Sequence, residues 1–534
     1  MFARVSAALL AFAVLLPAQH PVPPPTLLPG TRLLAGGGKL PPAVFTRFLE
    51  RAGATNGRVV LIPTASETAD SAESRAALLQ RWQQDHPGPT YTVLHTRDRA
   101  EADREDFTAP LRAATGVWLG GGAQERLAAA YLGTRVEREL QALLARGGVV
   151  AGTSAGTAIQ TRTMIQEGMD PPVMATGFDL VPFAISDQHF LKRQRLPRLL
   201  RALAMHRGHF GLGIDEGTAV EVHGRTLTVL GASKALLVLA AAGSWPERVV
   251  TLAAGEQQDL VAWQRAAVAR LGPAWPPAQV AEPAVPHGAV LLHGGGALGP
   301  DTTARFLALA GGAKAVVVAV PSAAPTSERR TDPMLAALRA AGATVRELDA
   351  ATPAEVTAAL LAQLDTATGV WFGGGRQWRL CDAFDGTGLV EGLRAVLGRG
   401  GVVGGTSAGA TILGDLLVRG DPIGNTAMWC EGYQRGFALV PGVAVDQHFV
   451  VRERLRDLQG LLGTFPQFLG LGLDEGAAVV VRGHELEVLG SGKVAVLARG
   501  VVADGEARAA AAASQEPVWL GPGARWDLRQ AAGR

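Results

Sequence analysis

Residues 147–156 read Gly-Gly-Val-Val-Ala-Gly-Thr-Ser-Ala-Gly, and this stretch decides the fold. The apolar run 149–151 predicts a short buried strand, which then breaks into a Gly-x-Ser-x-Gly turn around Ser154. Such a turn joins a strand to a helix and exposes the serine hydroxyl at the sheet edge. Its glycines are needed because the crowded backbone takes φ/ψ values that side chains disfavour. Ser154 is therefore a candidate nucleophile.

The same stretch returns at residues 400–409, with Ser407 in the place of Ser154. Four other motifs recur in the same order: Leu-x-Gly-Gly-Gly at 34–38 and 292–296, Gly-Val-Trp-x-Gly-Gly-Gly at 116–122 and 369–375, Asp-Gln-His-Phe at 187–190 and 446–449, and Gly-x-Gly-x-Asp-Glu at 211–216 and 470–475. The period of about 250–260 residues is too long for a solenoid unit. It predicts two copies of a whole domain.

Short apolar runs alternate with helical stretches within each half. In the first half the predicted strands cover residues 58–62, 90–94, 116–119 and 149–151, the predicted helices cover 72–84 and 125–146, and a hairpin is predicted at 219–222 and 227–230. Strands that alternate with helices indicate a mostly parallel sheet covered on both faces. The predicted fold class is α/β, with two tandem doubly wound domains.

The predicted domain boundaries follow from the repeat and from proline density. Prolines cluster at 273, 276, 277, 283 and 286, which favours an extended connection. We therefore predict a first domain over 28–255, a proline-rich linker over 256–286 and a second domain over 287–520. The halves then form a pseudo-dimer, or the chain pairs as a homodimer.

Composition and the N-terminus restrict the function classes. The chain has 534 residues, 48% hydrophobic content and a formal net charge of +2, which is typical of a globular protein. The basic residues are mostly scattered, so no nucleic-acid partner is expected. Arg4 precedes an apolar run over 5–16, which indicates a signal peptide at 1–19 rather than a buried helix. No later run is long enough for a membrane span.

We therefore expect an exported protein, secreted or periplasmic, with no membrane contact after signal cleavage. Export permits a disulfide between Cys381 and Cys430, but two distant cysteines are also often small buried side chains. Neither cysteine has the surroundings of a metal ligand or a nucleophile.

A serine nucleophile needs a base and an orienting acid. His189 is the candidate base because its Asp-Gln-His-Phe motif recurs at His448. Glu216 lies 27 residues beyond His189, and Glu475 lies 27 residues beyond His448. The neighbouring aspartates, at positions 215 and 474, are rivals for the role of the acid. The predicted triads are Ser154, His189 and Glu216, and Ser407, His448 and Glu475.

The predicted oxyanion hole combines two backbone amides in each half. One is the amide after the nucleophile, at Ala155 or Ala408, and the other comes from the glycine loop, at Gly122 or Gly375. These loops lack the residues that would continue a phosphate-binding motif, so no cofactor or metal is expected. The basic run 192–198 is either a solvated helix face or a set of guanidinium groups for a substrate carboxylate.

The motifs Gly-Thr-Ser-Ala-Gly, Asp-Gln-His-Phe-x-x-Arg-x-Arg and Gly-x-Asp-Glu together resemble the cyanophycinase family of serine peptidases. That family is related to peptidase E and has a fold similar to class I glutamine amidotransferases. The resemblance implies Ser-His-Glu triads and cleavage of a poly-aspartate backbone that carries arginine on its β-carboxyls, with release of β-aspartyl-arginine. It implies these substrate-binding residues: Gln124, Asp187, Gln188, Arg193, Arg195, Arg198, Gln377, Asp446, Gln447, Arg452 and Arg454.

The second half departs from this pattern. Asp457 stands where the first half has Arg198, and the serine-to-histidine spacing is 41 residues instead of 35. The expected function is an exported peptidase acting on cyanophycin or similar Asp/Arg-rich peptides. The alternatives are an aspartyl dipeptidase and a non-catalytic binding protein on the same fold.

Overall fold

The computed structural model describes residues 29–328, 332–500 and 516–530. The signal peptide predicted at 1–19 lies outside the described residues and stays a prediction. The strands of the first half are β1 (Thr31–Ala35), β2 (Arg58–Ile62), β3 (Thr90–Val93), β4 (Gly116–Leu119), β5 (Val149–Thr153), β6 (Thr163–Glu167), β7 (Val173–Thr176), β8 (Ala184–Gln188), β9 (Phe210–Ile214), β10 (Thr218–His223), β11 (Thr226–Gly231), β12 (Ala235–Leu239), β13 (Arg248–Leu252) and β14 (Gln257–Asp259).

Its helices are α1 (Pro42–Arg51), α2 (Ala72–Asp85), α3 (Arg99–Ala102), α4 (Glu105–Ala113), α5 (Gln124–Tyr131), α6 (Arg135–Ala145), α7 (Ala155–Ala158), α8 (Leu196–Met205) and α9 (Leu260–Ala269). The strands of the second half are β15 (Val285–His293), β16 (Val316–Val320), β17 (Thr344–Glu347), β18 (Gly369–Phe372), β19 (Val402–Thr406), β20 (Val443–Gln447), β21 (Leu469–Leu473), β22 (Ala477–Gly483), β23 (Glu485–Gly490), β24 (Val494–Leu497), β25 (Val518–Leu520) and β26 (Arg525–Asp527). Its helices are α10 (Pro300–Leu309), α11 (Pro333–Ala340), α12 (Ala358–Leu361), α13 (Gln377–Phe384), α14 (Leu389–Gly398), α15 (Ala408–Thr411) and α16 (Leu455–Thr464).

Each half is built on an eight-stranded sheet with a parallel centre. The strand order is β14-β11-β10-β1-β5-β4-β2-β3 in the first half and β26-β23-β22-β15-β19-β18-β16-β17 in the second. In the first sheet, β1, β5, β4, β2 and β3 run parallel, and β10, β11 and β14 add an antiparallel edge. The two orders match strand by strand, so the sequence repeat is a structural repeat. The predicted α/β class with two tandem domains is confirmed.

Alternate residues of the central strands enter two separate cores. Val60 and Val117 pack with α5 and α6 on one face of the first sheet, whereas Val59 and Trp118 pack with α1 and α2 on the other. Side chains alternate along a strand, so a sheet that is buried on both faces needs apolar residues at every position. Each fully buried aliphatic side chain contributes about 1.5–3 kcal/mol. These cores place helices on both faces of the sheet, as predicted for a doubly wound domain.

A second, four-stranded sheet in each half was not predicted. Its order is β13-β12-β9-β8 in the first half and β25-β24-β21-β20 in the second. The predicted helix over 125–146 is also divided into α5 and α6, because Gly133 takes a left-handed φ of 77° between them. A two-stranded sheet of β6 and β7 occurs only in the first half among the described residues.

The segment 256–286 differs from the predicted linker. It begins with β14, which pairs with β11, and continues with α9, whose side chains are mostly buried. Ala262 of α9 belongs to the hydrophobic core of the second half. The connection without strand or helix is therefore 270–284, and α9 belongs to the contact between the halves. The second domain also extends past residue 520, because β26 completes its large sheet.

Charged side chains cross the boundary between the halves. Arg270 of the first half pairs with Glu431 at 2.6 Å, and both side chains are buried. Arg225 pairs with Asp382 at 2.8 Å and lies 4.0 Å over the ring of Trp378. These contacts hold residues of the two halves against each other.

Cys381 is buried and Cys430 is partly buried, and both thiols are free, so the structure shows no bridge between them. Within the described ranges, no helix has both the length and the hydropathy that a membrane crossing requires.

Candidate active site

Each Gly-x-Ser-x-Gly turn follows the central strand of its sheet. Ser154 has φ 52° and ψ −111°, and Ser407 has φ 53° and ψ −117°, a strained backbone for a non-glycine residue. The glycines permit this turn because the chain crosses itself: a Cβ on Gly152 would lie 2.0 Å from the carbonyl oxygen of Gly156. The Ser154 N–H donates to the Ala35 oxygen at 3.0 Å, which fixes the turn against β1.

A histidine from the smaller sheet meets each serine. His189 follows β8, and its backbone N–H donates to the Gly36 oxygen at 2.8 Å, so the ends of the two sheets lie together. The Ser154 hydroxyl donates to His189 Nε2 over 2.9 Å. In the second half the Ser407 hydroxyl donates to His448 Nε2 over 3.0 Å. Both imidazole side chains are 13% exposed, so solvent and small ligands reach them.

A glutamate orients each imidazole. His189 Nδ1 donates to Glu216 Oε1 at 2.7 Å, and His448 Nδ1 donates to Glu475 Oε1 at 2.6 Å. This bond fixes the tautomer in which Nε2 faces the serine hydroxyl and accepts its proton. The structure thus brings together both sets of three side chains that the sequence singled out.

The neighbouring aspartates, Asp215 and Asp474, bond to the loop after each histidine. Asp215 accepts the backbone N–H of Lys192 at 2.9 Å and the Ser233 hydroxyl at 2.7 Å. Asp474 accepts two backbone N–H groups of the corresponding turn, from Val450 and Val451. Each aspartate therefore holds the loop that follows the histidine, while the glutamate contacts the imidazole.

The glycine loop 36–38 encloses the imidazole and its acid. A Cβ on Gly37 would lie 2.4 Å from His189 Cε1, and a Cβ on Gly38 would lie 2.9 Å from Glu216 Oε2. Gly295 and Gly296 have the same relation to the second triad. Any side chain in this loop would displace the ring or its acid, so the loop determines where the imidazole lies.

The second glycine loop lies on the other side of the nucleophile. A Cβ on Gly121 would lie 3.6 Å from Ser154 Cβ, and Gly122 has φ +139° with no room for a side chain beside the Ala65 oxygen. Ala155 follows the serine directly. Gly374, Gly375 and Ala408 repeat this arrangement around Ser407. The loop is therefore placed to offer backbone N–H groups near the nucleophile.

Electrostatics favours a neutral base in the second half. Burial lowers the pKa of His448, and Arg452 lowers it further, while the hydrogen bond to Glu475 opposes the shift. A neutral imidazole at neutral pH can accept the serine proton.

His293 distinguishes the second site from the first. It stands where the first half has Ala35, and burial lowers the pKa of His293 to about 4, so its imidazole is neutral. Its Nδ1 accepts the Thr406 hydroxyl at 2.9 Å and the Gly295 N–H at 3.3 Å. His293 therefore links the strand before the nucleophile to the glycine loop.

Several predicted substrate-binding residues are buried structural groups instead. Asp187 is 0% exposed and pairs with both Arg195 and Arg198, of which Arg198 is only 6% exposed. Asp446 is also 0% exposed and pairs with Arg454, which is 4% exposed. The two carboxylates, Arg198 and Arg454 have almost no exposed surface, so these ion pairs position the strand ends that carry the two histidines, whereas the Arg195 side chain keeps 14% of its surface exposed.

The second half replaces Arg198 with an arginine from a different segment. Arg419 donates to Asp446 at 3.0 and 3.1 Å and to Asp457 at 2.8 Å. Asp457 occupies the helix position that corresponds to Arg198. In the second half, one guanidinium partner of the buried aspartate therefore comes from Arg419 and not from the helix position of Arg198. The buried aspartate has two guanidinium partners in both halves. Arg419 lies where the two halves differ in length, so no aligned motif indicated it.

The remaining predicted residues have mixed surroundings. Arg193 and Arg452 are exposed beside the histidines. Gln124 donates to the Ile165 oxygen at 3.0 Å, and Gln377 donates to the Val418 oxygen at 3.2 Å, so both anchor the segment after the nucleophile turn. Gln188 and Gln447 are both 5% exposed. Of this set, the two exposed arginines are free to meet a ligand.

The fold and the two sites define a class: α/β proteins in which a serine at a strained strand-to-helix turn contacts a histidine–glutamate pair at the sheet edge. Within that class, the chain belongs to peptidase family S51, whose sequence profile matches residues 33–230 and 290–489.

Similar proteins include two cyanophycinases. The chain is 34% identical over 205 residues to cyanophycinase of Synechococcus elongatus, covering 36% of this chain and 62% of that protein. It is 35% identical over 205 residues to cyanophycinase of Trichormus variabilis, covering 36% of this chain and 67% of that protein. The chain thus spans less than two thirds of the length of the Synechococcus relative. A crystal structure of a peptidase from an acI-B1 actinobacterium is similar at a TM-score of 0.37 and 22% identity, covering 44% of this chain and 98% of that one.

Proposed function

We propose that the protein is an exported serine peptidase that hydrolyses cyanophycin or a similar aspartyl peptide at two sites. The observation that carries the proposal is the hydrogen-bonded chain from serine through imidazole to glutamate, present once in each half. Family membership and the cyanophycinase relatives support the reaction class and the substrate. Export rests on residues 1–19 alone.

The geometry suits acyl transfer through a covalent intermediate. In the first site, Ser154 Oγ attacks the carbonyl carbon of the scissile amide while His189 Nε2 takes the hydroxyl proton. The oxyanion that forms is stabilised by the Ala155 amide and by the glycine loop at Gly122. His189 then gives its proton to the leaving nitrogen, and the C–N bond breaks. Water, deprotonated by the same imidazole, releases the acid, and Glu216 stabilises the imidazolium in both steps.

The product tests the proposal directly. The purified chain is expected to release β-aspartyl-arginine from cyanophycin, detected by liquid chromatography and mass spectrometry. Dipeptides with an N-terminal aspartate form the comparison set. Cleavage of the dipeptides without cleavage of the polymer would identify an aspartyl dipeptidase instead. Binding of the polymer without any product would identify a binding protein and end the peptidase proposal.

Changing Gly37 and Gly295 together to alanine should lower hydrolysis by about 10–100-fold. The new Cβ atoms would lie 2.4 Å and 2.3 Å from Cε1 of the two catalytic imidazoles, so each ring must move. A displacement of about 1 Å from the reactive geometry costs rates of this order. The measurement is kcat on the same aspartyl peptide.

Gly147 and Gly400 provide the matched control. Their φ values, +91° and +87°, are close to those of Gly37 and Gly295, at +99° and +105°, but a Cβ on either control would meet no atom within 4 Å. Alanine at both control positions adds similar backbone strain without touching a triad. An equal loss of kcat in both pairs would show that strain, and not the position of the imidazole, explains the result.

A further inference from the structure

A cavity of about 400 Å³ lies beside the nucleophile loop of the first half. It is lined by the ends of β2 and β4 and by helix α2, it is open to solvent on one side, and Gly120 and Gly121 form part of its wall. A Cβ on Gly121 would lie 3.6 Å from Ser154 Cβ, so the cavity is adjacent to the nucleophile. The mechanism above uses none of the other residues in its wall.

The wall combines aromatic rings with cationic groups. Trp82 and Trp118 form an apolar side, with ring centroids 5.2 Å apart. Arg75 and Arg81 also line the cavity, and no aspartate or glutamate does within the described part of the chain. Arg75 is partly tied down, because its Nη1 donates to two backbone oxygens of the preceding turn, whereas Arg81 is exposed. The surplus of donors and positive charge favours an anionic ligand.

In the second half, a carboxylate of the chain itself lies at the corresponding tryptophan. Trp371 corresponds to Trp118 in the repeated Gly-Val-Trp motif, and its Nε1–H donates to Asp332 Oδ2 at 3.0 Å. The chain therefore supplies its own carboxylate to that indole. Across residues 29–328, 332–500 and 516–530, Trp118 has no hydrogen-bond partner for its indole N–H, and no carboxylate of the chain takes the corresponding place.

We propose that this cavity is a subsite of the first active site and that it binds a substrate residue with a free carboxylate beside an apolar stem. The carboxylate lies by Arg81 and the stem lies along the two tryptophan rings. A β-aspartyl-arginine unit has this chemistry, because its arginine is joined through the amino nitrogen and keeps its α-carboxylate. The assignment rests on the proposed function. Since Asp332 already occupies the matching place in the second half, only the first site distinguishes free from blocked carboxylates.

The experiment compares two single-site enzymes on paired substrates. Ser407→Ala leaves the first site and Ser154→Ala leaves the second, and each is given β-aspartyl-arginine peptides with the arginine carboxylate free or amidated. We expect the first site to show a KM about 10-fold lower for the peptide with the free carboxylate than for the amidated peptide, because a charge-assisted hydrogen bond contributes a difference of about this size. The second site should show no such preference. Equal KM values for both peptides at the first site would overturn the subsite.

Substitution of the cation gives the residue-level test. Arg81→Gln in the first-site enzyme should remove the preference for the free carboxylate, and Arg81→Lys should restore part of it. Arg104→Gln is the matched control, because Arg104 is exposed and pairs with Asp106 on the surface. A preference that survives in Arg81→Gln would exclude Arg81 from the subsite.

A binding measurement separates this proposal from the proposed function. The double variant Ser154→Ala/Ser407→Ala is titrated calorimetrically with β-aspartyl-arginine and with its amide. Tighter binding of the free acid, lost in Arg81→Gln, supports the subsite even if the wild-type chain cleaves nothing, a result that would refute only the peptidase proposal. Equal binding of both compounds refutes the subsite even if the wild-type chain is an active peptidase.

Discussion

Alanine at both Ser154 and Ser407 is expected to lower kcat for aspartyl-peptide hydrolysis by about 10⁶-fold, the size of effect seen when an activated serine is lost. Each single variant should lose only the contribution of its own half, because each hydroxyl contacts its own imidazole at 2.9 or 3.0 Å. The two single variants therefore divide the activity between the sites. The measurement is kcat and KM of all three variants on one peptide.

Ser244→Ala controls for unspecific effects of the substitution. Ser244 is an exposed serine in a turn far along the chain from both nucleophiles, so its loss should leave kcat unchanged. If the double variant at 154 and 407 keeps more than a trace of the wild-type rate, neither serine is the nucleophile. The peptidase would then work through another group.

Arg419→Leu is expected to destabilise the second half by about 1–3 kcal/mol, because the fully buried Asp446 loses one of its two guanidinium partners and keeps only Arg454 among the described residues. Asp446 lies two residues before His448, so the activity that depends on Ser407 should fall with the stability. Denaturant unfolding measures the loss of free energy, and kcat in the Ser154→Ala background measures the loss of the second site.

Substitutions of Asp457 provide both a control for Arg419→Leu and a variant that should restore its stability. Its side chain is 49% exposed, so Asp457→Asn should cost about 0–1 kcal/mol although it also loses its bond to Arg419. In the first half the corresponding position is Arg198, which pairs with Asp187. The double variant Arg419→Leu/Asp457→Arg recreates that arrangement and should regain stability. An unchanged free energy of unfolding in Arg419→Leu would contradict the role of the ion pair.

Local patterns predicted the central layers of the fold well. Residues 58–62 and 116–119 are strands over the predicted bounds, since apolar runs between glycines leave few alternatives in a buried parallel sheet. The smaller sheet was missed because a local pattern indicates a strand but not the sheet that the strand joins. Helix α9 was read as linker because the prolines that follow it dominated the composition of the segment.

The sequence singled out the six candidate triad residues because the chain repeats itself. The same 27-residue spacing from histidine to glutamate in both halves selected Glu216 and Glu475, and the structure places both against the imidazoles. The basic residues after the histidine were harder to assign, because a sequence does not show whether a charge is buried. Arg198 points into an ion pair and Arg193 faces solvent, although they lie five residues apart.

Covalent labelling tests the central claim most directly. A fluorophosphonate that reacts with activated serines is incubated with the intact chain, and the labelled peptides are sequenced by mass spectrometry. The account predicts one adduct on Ser154 and one on Ser407, each lost when the glutamate of that half, Glu216 or Glu475, is changed to glutamine. Adducts on neither serine, or adducts that persist in both glutamine variants, would contradict it.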